Sequence, residues 1–127
     1  MAVRDLQQLL QEAHPVRQPG SYVFVTTGKA PLIPVQDIVM SFREAEGITL
    51  ILERAVADRH QLAYDLCCYW ITMQVHSALD AVGFTAAFST ALAEVGISCN
   101  VVAGYHHDHI FIPEKDGERG LEVLLQL

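Results

Sequence analysis

Lysine and arginine are scarce in this chain. Eight are spread over 127 residues against fifteen acids, for a net charge of −7, and none falls between Cys67 and Pro113. Nothing supplies the positive field that a phosphate backbone demands, so nucleic acid is excluded as an expected partner. Cysteine is also rare: there are three, an odd number, and Cys67 and Cys68 are neighbours. That is a poor basis for a disulfide framework, and the three read as small buried hydrophobes. No apolar run approaches the roughly 18 residues of a membrane span, and the opening MAVRDLQQLLQEAHP mixes polar and apolar residues instead of forming a signal-peptide core. A cytoplasmic protein with no membrane partner is expected. Missing too are a glycine-rich phosphate loop, a nucleophile elbow and an HExxH motif, so a non-catalytic protein without a cofactor is expected.

What the chain has in abundance is apolar side chains. They make up 51% of the residues, while charged ones reach 18%, below the roughly 25% usual in soluble domains. A surface this poor in charge carries apolar area that an interface would cover, which predicts a homo-oligomer, most simply a homodimer. The basic-free stretch Cys67–Pro113 has only Asp80, Glu94 and Asp108 as acids. It is expected to hold the central sheet, its covering helix and the subunit contact.

Periodicity assigns the elements. VRDLQQLLQEA places Leu6, Leu9, Leu10 and Ala13 on one helical face and ends at His14-Pro15. SYVFVTT reads as a strand between Pro19-Gly20 and the loop GKAPLIP. DIVMSF and GITLIL are two strands joined by REAEG, followed by a short helix in ERAVADRH. YWITMQVH alternates, with Tyr69, Ile71, Met73 and Val75 on one side. After the loop SALDAVG, a helix carries Phe84, Ala87, Phe88, Ala91, Leu92 and Val95 on one stripe and is capped by Gly96. SCNVVAG and HIFIP form a hairpin, and EKDGERGLEVLLQL closes with a helix.

Laid over each other at an offset of 61, Asp37–Arg59 and Ser98–Gly120 both read strand, tight hairpin, strand, charged helix start. Two copies of one βαββα-type unit follow, the first short of most of its first helix. Such units build an antiparallel sheet with helices on one face, the α+β, ferredoxin-like architecture.

The phrases VHSALDAVGFTAAFSTALAEVGISCNVVAGYHHDHIFIP and FREAEGITLIL resemble the small bacterial ACT-domain proteins that consist of two ACT-like units and little else. The resemblance spans about Phe42 to Leu127 and implies an N-terminal unit over 1–62, with the leading helix, and a C-terminal unit over 63–127. Related tandem ACT modules, in amino-acid-regulated kinases and in arginine sensing, bind free amino acids at interfaces between ACT units. The resemblance therefore implies a regulatory or sensor protein whose partner is a small molecule, a free amino acid.

The residues offer such a ligand a place. Between Val75 and Thr85 a strand passes through a loop to a helix start, where free N–H groups favour an anion. The helix end and the hydroxyls of Ser77 or Thr85 suit a carboxylate, with Arg43 or Arg54 reaching in from the other half as the cationic alternative. Gly83 lets a ligand approach the backbone, Asp80 is the natural partner of an ammonium, and Asn100 on a neighbouring strand bridges both groups. Val82 and Phe84 serve as pocket wall. The same residues also fit a structural account, in which Gly83 permits a tight turn and Ser77, Asp80 and Thr85 are turn or N-cap residues. The resemblance favours the ligand site.

A competing reading makes the chain a metal-binding protein or a small metal-dependent enzyme using His106, His107, Asp108 and His109. Neighbouring residues near a hairpin point to opposite faces, and structural zinc usually shows separated ligand pairs. The expectation is therefore no metal, with Asp108 holding the turn through its own backbone and the imidazoles packing at an edge. His76, Cys67 and Cys68 are expected to be structural.

Overall fold

The computed structural model describes residues 1–28 and 33–127. The loop expected at GKAPLIP falls largely on residues 29–32, outside the described residues. The elements are α1 (Leu6–Gln11), β1 (Pro15–Thr27), β2 (Ile38–Glu44), β3 (Gly47–Glu53), α2 (Arg54–Arg59), β4 (Cys67–Met73), α3 (Phe84–Glu94), β5 (Asn100–Ala103), β6 (Asp108–Pro113) and α4 (Gly117–Leu125). Among the described residues no helix is long and apolar enough to cross a membrane.

They form two compact units, Met1–Pro19 with Tyr69–Leu127, and Gly20–Cys68. The larger of these units is not one contiguous stretch of the chain, and the leading helix packs in it. Its apolar face, Leu9 and Ala13 with Leu6 and Leu10, packs with Ile71, Met73, Phe84, Phe88 and Leu92 of the C-terminal half, because that half holds the larger apolar surface for it to cover. Asp5 starts α1 by accepting the Gln8 amide at 3.0 Å, which satisfies one of the amides a helix start leaves free.

In this larger unit the strands lie in the order β1-β4-β6-β5. β5 and β6 are antiparallel, from Asn100 opposite Phe111 to Ala103 opposite Asp108. The expected alternation along β4 holds: Tyr69, Ile71 and Met73, with Val75 beyond, face the core that α3 and α4 cover with Phe84, Phe88, Leu92 and Leu124. α3 ends as expected, with Gly96 at φ 76° and its amide on the Ala93 carbonyl at 3.0 Å. The chain after β4 is held by the N-terminus: Val3 donates to the His76 carbonyl at 2.7 Å and accepts from Ala78 at 2.8 Å.

In the smaller unit the order is β2-β3-β1, both pairings antiparallel. Val23, Val25, Leu50 and Leu52 pack with Val56 and Ala57 of α2. β1 starts six residues before the expected SYVFVTT and runs through Pro15 and Pro19. Proline removes only its own donor and is tolerated at strand starts and edges. Both units follow the expected strand, hairpin, strand, helix succession, and the fold is α+β and ferredoxin-like.

Candidate functional site

The Ser77–Gly83 loop is carried between β4 and α3 and is flanked by two cavities, both within the larger unit. One, of about 430 Å³, is lined by Arg4, His76, Ser77, Leu79, Asp80 and Tyr105 among others. The other, of about 100 Å³, is lined by Ser77, Ala78, Leu79, Ala81, Phe84, Thr85, Ala103 and Asp108. Ser77 borders both.

The residues expected at the site divide accordingly. Ser77 is buried and donates to Asp108 Oδ2 at 3.0 Å. Asp80 is exposed and paired with Arg4, whose Nε lies 2.9 Å from Oδ1. The sequence contains no cation near the loop, and Arg4 reaches it only because Val3 bridges to Ser77. Phe84 is core, edge-on to Phe88 at 5.2 Å, and its backbone with Thr85 opens α3. Val82 lines neither cavity and points to solvent, 84% exposed. Asn100 lines neither, because it sits at the far end of β5 from the hairpin tip that borders them, about 10 Å from Ala103 at strand rise.

Gly83 opens α3 beneath Leu6. It is the N-cap of α3 in a left-handed conformation, φ 99°, with no side-chain cap hydrogen bond. A Cβ there would stand 3.3 Å from Leu6 Cδ2. The direction of a side chain there is thus occupied by Leu6 of α1, and the positive φ suits glycine. The N-cap is thus a residue without a side chain, and neither Ser77, Asp80 nor Thr85 holds that position, so the first amides of α3 lack an N-cap side-chain acceptor.

Asp108 is the residue whose role the sequence obscured. It is the first residue of β6, not part of the turn, and is 9% exposed. It has no ion-pair partner among the described residues, and the Ser77 hydroxyl is its side-chain hydrogen-bond donor. No spacing in the sequence joins Ser77 to Asp108 across 31 positions.

The imidazoles do not converge. His106 and His107 occupy the hairpin tip. His107 Nδ1 lies 3.4 Å from the Val75 carbonyl, and the His76 ring is 5.0 Å from that of His106. His109 turns away: its Nδ1 accepts from Trp70 Nε1 at 3.0 Å and lies 3.0 Å from Thr72 Oγ1. An indole N–H only donates, so the His109 proton is on Nε2. Burial, then the neighbouring His107, holds the His109 pKa below its ordinary value. Burial followed by His106 does the same for His76, which lines the larger cavity. Among the described residues no group of three or more His, Cys, Asp or Glu is arranged to hold a metal ion. Burial pushes the Cys99 thiol up to about 11, leaving almost no thiolate to act as a nucleophile at neutral pH.

Family models for ACT domains match residues 1–69 and residues 68–126. No curated protein matches the chain. Among solved structures, a protein of unknown function from Vibrio cholerae, described as a possible transport protein, is 43% identical over 95% of this chain and 94% of its own, with a TM-score of 0.83. The regulatory subunit of aspartate kinase from Thermus thermophilus, in a ligand-free form, shares the fold at 11% identity and a TM-score of 0.64, covering 88% of this chain and 94% of its own. A protein from Agrobacterium tumefaciens does so at 19% identity and a TM-score of 0.69, over 84% and 82%. With two ACT models in succession spanning nearly its whole length, the chain belongs to the ACT-domain family.

Proposed function

We propose that this chain is a non-catalytic regulatory or sensor protein that binds a free α-amino acid at the Ser77–Thr85 loop. ACT domains are typically regulatory ligand-binding domains. The observation that carries the reading is Asp108: a buried carboxylate with no ion-pair partner among the described residues, lining the same small cavity as the uncapped first turn of α3. An α-ammonium supplies the missing counter-charge, and the adjacent α-carboxylate meets the amides of Phe84 and Thr85 and the Thr85 hydroxyl. Asp80, first expected to hold the ammonium, already has Arg4 and belongs to the rim of the larger cavity, where the side chain would lie.

The protein is further proposed to act as a homodimer through this unit, since Leu79, Val82 and Tyr105 expose apolar surface beside the cavities. Three free cysteines suit a reducing cytoplasm.

Thermal shift with each of the twenty amino acids tests the ligand. A ligand at about 100 times its dissociation constant stabilises the folded state by about 2.7 kcal/mol. Asp108→Asn is expected to cost about 1.5–3 kcal/mol of binding, as loss of a charge-assisted contact does, and Asp80→Asn far less. If no amino acid raises the melting temperature, the reading is wrong. If Asp80→Asn abolishes binding and Asp108→Asn spares it, the ammonium sits at Asp80.

A further inference from the structure

The larger cavity brings basic groups together in an acidic chain. The protein has a net charge of −7, yet this cavity is bordered by Arg4 and His76. The His76 ring lies 5.0 Å from His106 and 6.4 Å from Tyr105, and the His106 ring lies 6.1 Å from His107. The one acid among its lining residues, Asp80, is taken up by Arg4 Nε. That contact uses one of the five guanidinium donors, and the terminal nitrogens still present a planar fork of the kind that matches a carboxylate. A volume of about 430 Å³ lies within the usual range for small-molecule sites.

We propose that this cavity receives an anionic side chain, so that the ligand is an acidic α-amino acid of the aspartate or glutamate kind. The inference rests on the reading of the Ser77–Thr85 loop as an amino-acid site and adds the chemistry of the side chain. Arg4 supplies the bidentate partner, and His76 supplies a second cation once protonated.

The groups around His76 are Arg4 and Asp80 of the same cavity, Tyr105, His106 and His107 of the hairpin tip, and the Met1 amino group. Burial and the like charges among them hold the imidazole below its ordinary pKa. A bound carboxylate offsets both effects and raises that pKa. A proton is then taken up on binding, and affinity for an acidic ligand rises as the pH falls.

Isothermal titration calorimetry of the full chain with L-glutamate, L-aspartate, L-glutamine and L-lysine tests this at about pH 8 and about pH 6, which bracket imidazole titration. One of the two acidic ligands is expected to bind at least about tenfold more tightly than glutamine at the lower pH, the scale of one charge-assisted contact. Arg4→Gln is expected to erase that preference, bringing the acidic ligands down to glutamine or below. His76→Gln is expected to flatten the pH dependence. Amino-acid binding in which glutamine equals both acidic ligands, or lysine is tightest, overturns this inference and leaves the loop site standing. Absence of binding by any amino acid overturns the loop site as well.

Discussion

The Tyr69 ring is held on both faces. Arg17 lies over one, its guanidinium carbon 3.6 Å from the ring centroid, and Gly117 at the start of α4 meets the ring so closely that a Cβ would stand 2.5 Å from Cδ2. The hydroxyl is fixed as well, donating to Glu118 at 2.9 Å. This ring cannot swing aside to admit a methyl group. Gly117→Ala is therefore expected to destabilise the fold by about 1–3 kcal/mol, the usual cost of overpacking, although alanine is the better helix former. Urea denaturation checks it, and an unchanged midpoint would show that the ring moves freely. At the same scale Asp108 shows how a residue's meaning depends on its surroundings. Asp in a His-rich hairpin suggests a turn, and only the approach of Ser77 Oγ to 3.0 Å reveals a buried carboxylate.

Among the elements, α1 is the instructive one. It has six residues, well below the length at which an isolated helix is stable in water. Its existence depends on burying Leu9 and Ala13 in the core with Phe84, Phe88 and Met73. Leu9→Ala is expected to cost about 2–5 kcal/mol, as truncations of fully buried leucines do. Because the segment ahead of α1 also delivers Arg4 to the loop, the same variant should weaken ligand binding in proportion to loosening of α1. Chemical denaturation measures the first effect. Amide exchange at Val3 and Ala78, which bond this segment to the loop, measures the second. Loss of stability without faster exchange at those amides would uncouple the helix from the site.

For the whole molecule, the exposed apolar residues around the loop, Leu79, Val82 and Tyr105, underlie the proposed homodimer. Light scattering at micromolar concentration is expected to return twice the 14.0 kDa chain mass, since large exposed apolar side chains on a chain poor in charge suit an interface. Val82→Asp with Tyr105→Ser is expected to shift it to the monomer. A wild-type mass of 14.0 kDa would remove the dimer while leaving the ligand reading in place.

Local pattern along the chain is enough to set the succession of elements, the core face of most of them, the internal repeat at an offset of 61 and the ferredoxin-like class. Those depend on periodicities of two and 3.6 residues and on turn chemistry, which act within a few positions. It also marked the Ser77–Thr85 loop, because a strand passing to a helix start shows in local composition. Tertiary structure alone decided that α1 belongs with the C-terminal half, that Gly83 is covered by Leu6, that Asn100 stands away from the cavities, and that Arg4 and Asp108 flank the loop. Each of these depends on contacts between residues far apart in the chain: Arg4 and Asp80 are separated by 76 positions and Ser77 and Asp108 by 31. Burial and charge compensation act through space, and no spacing along the chain encodes them.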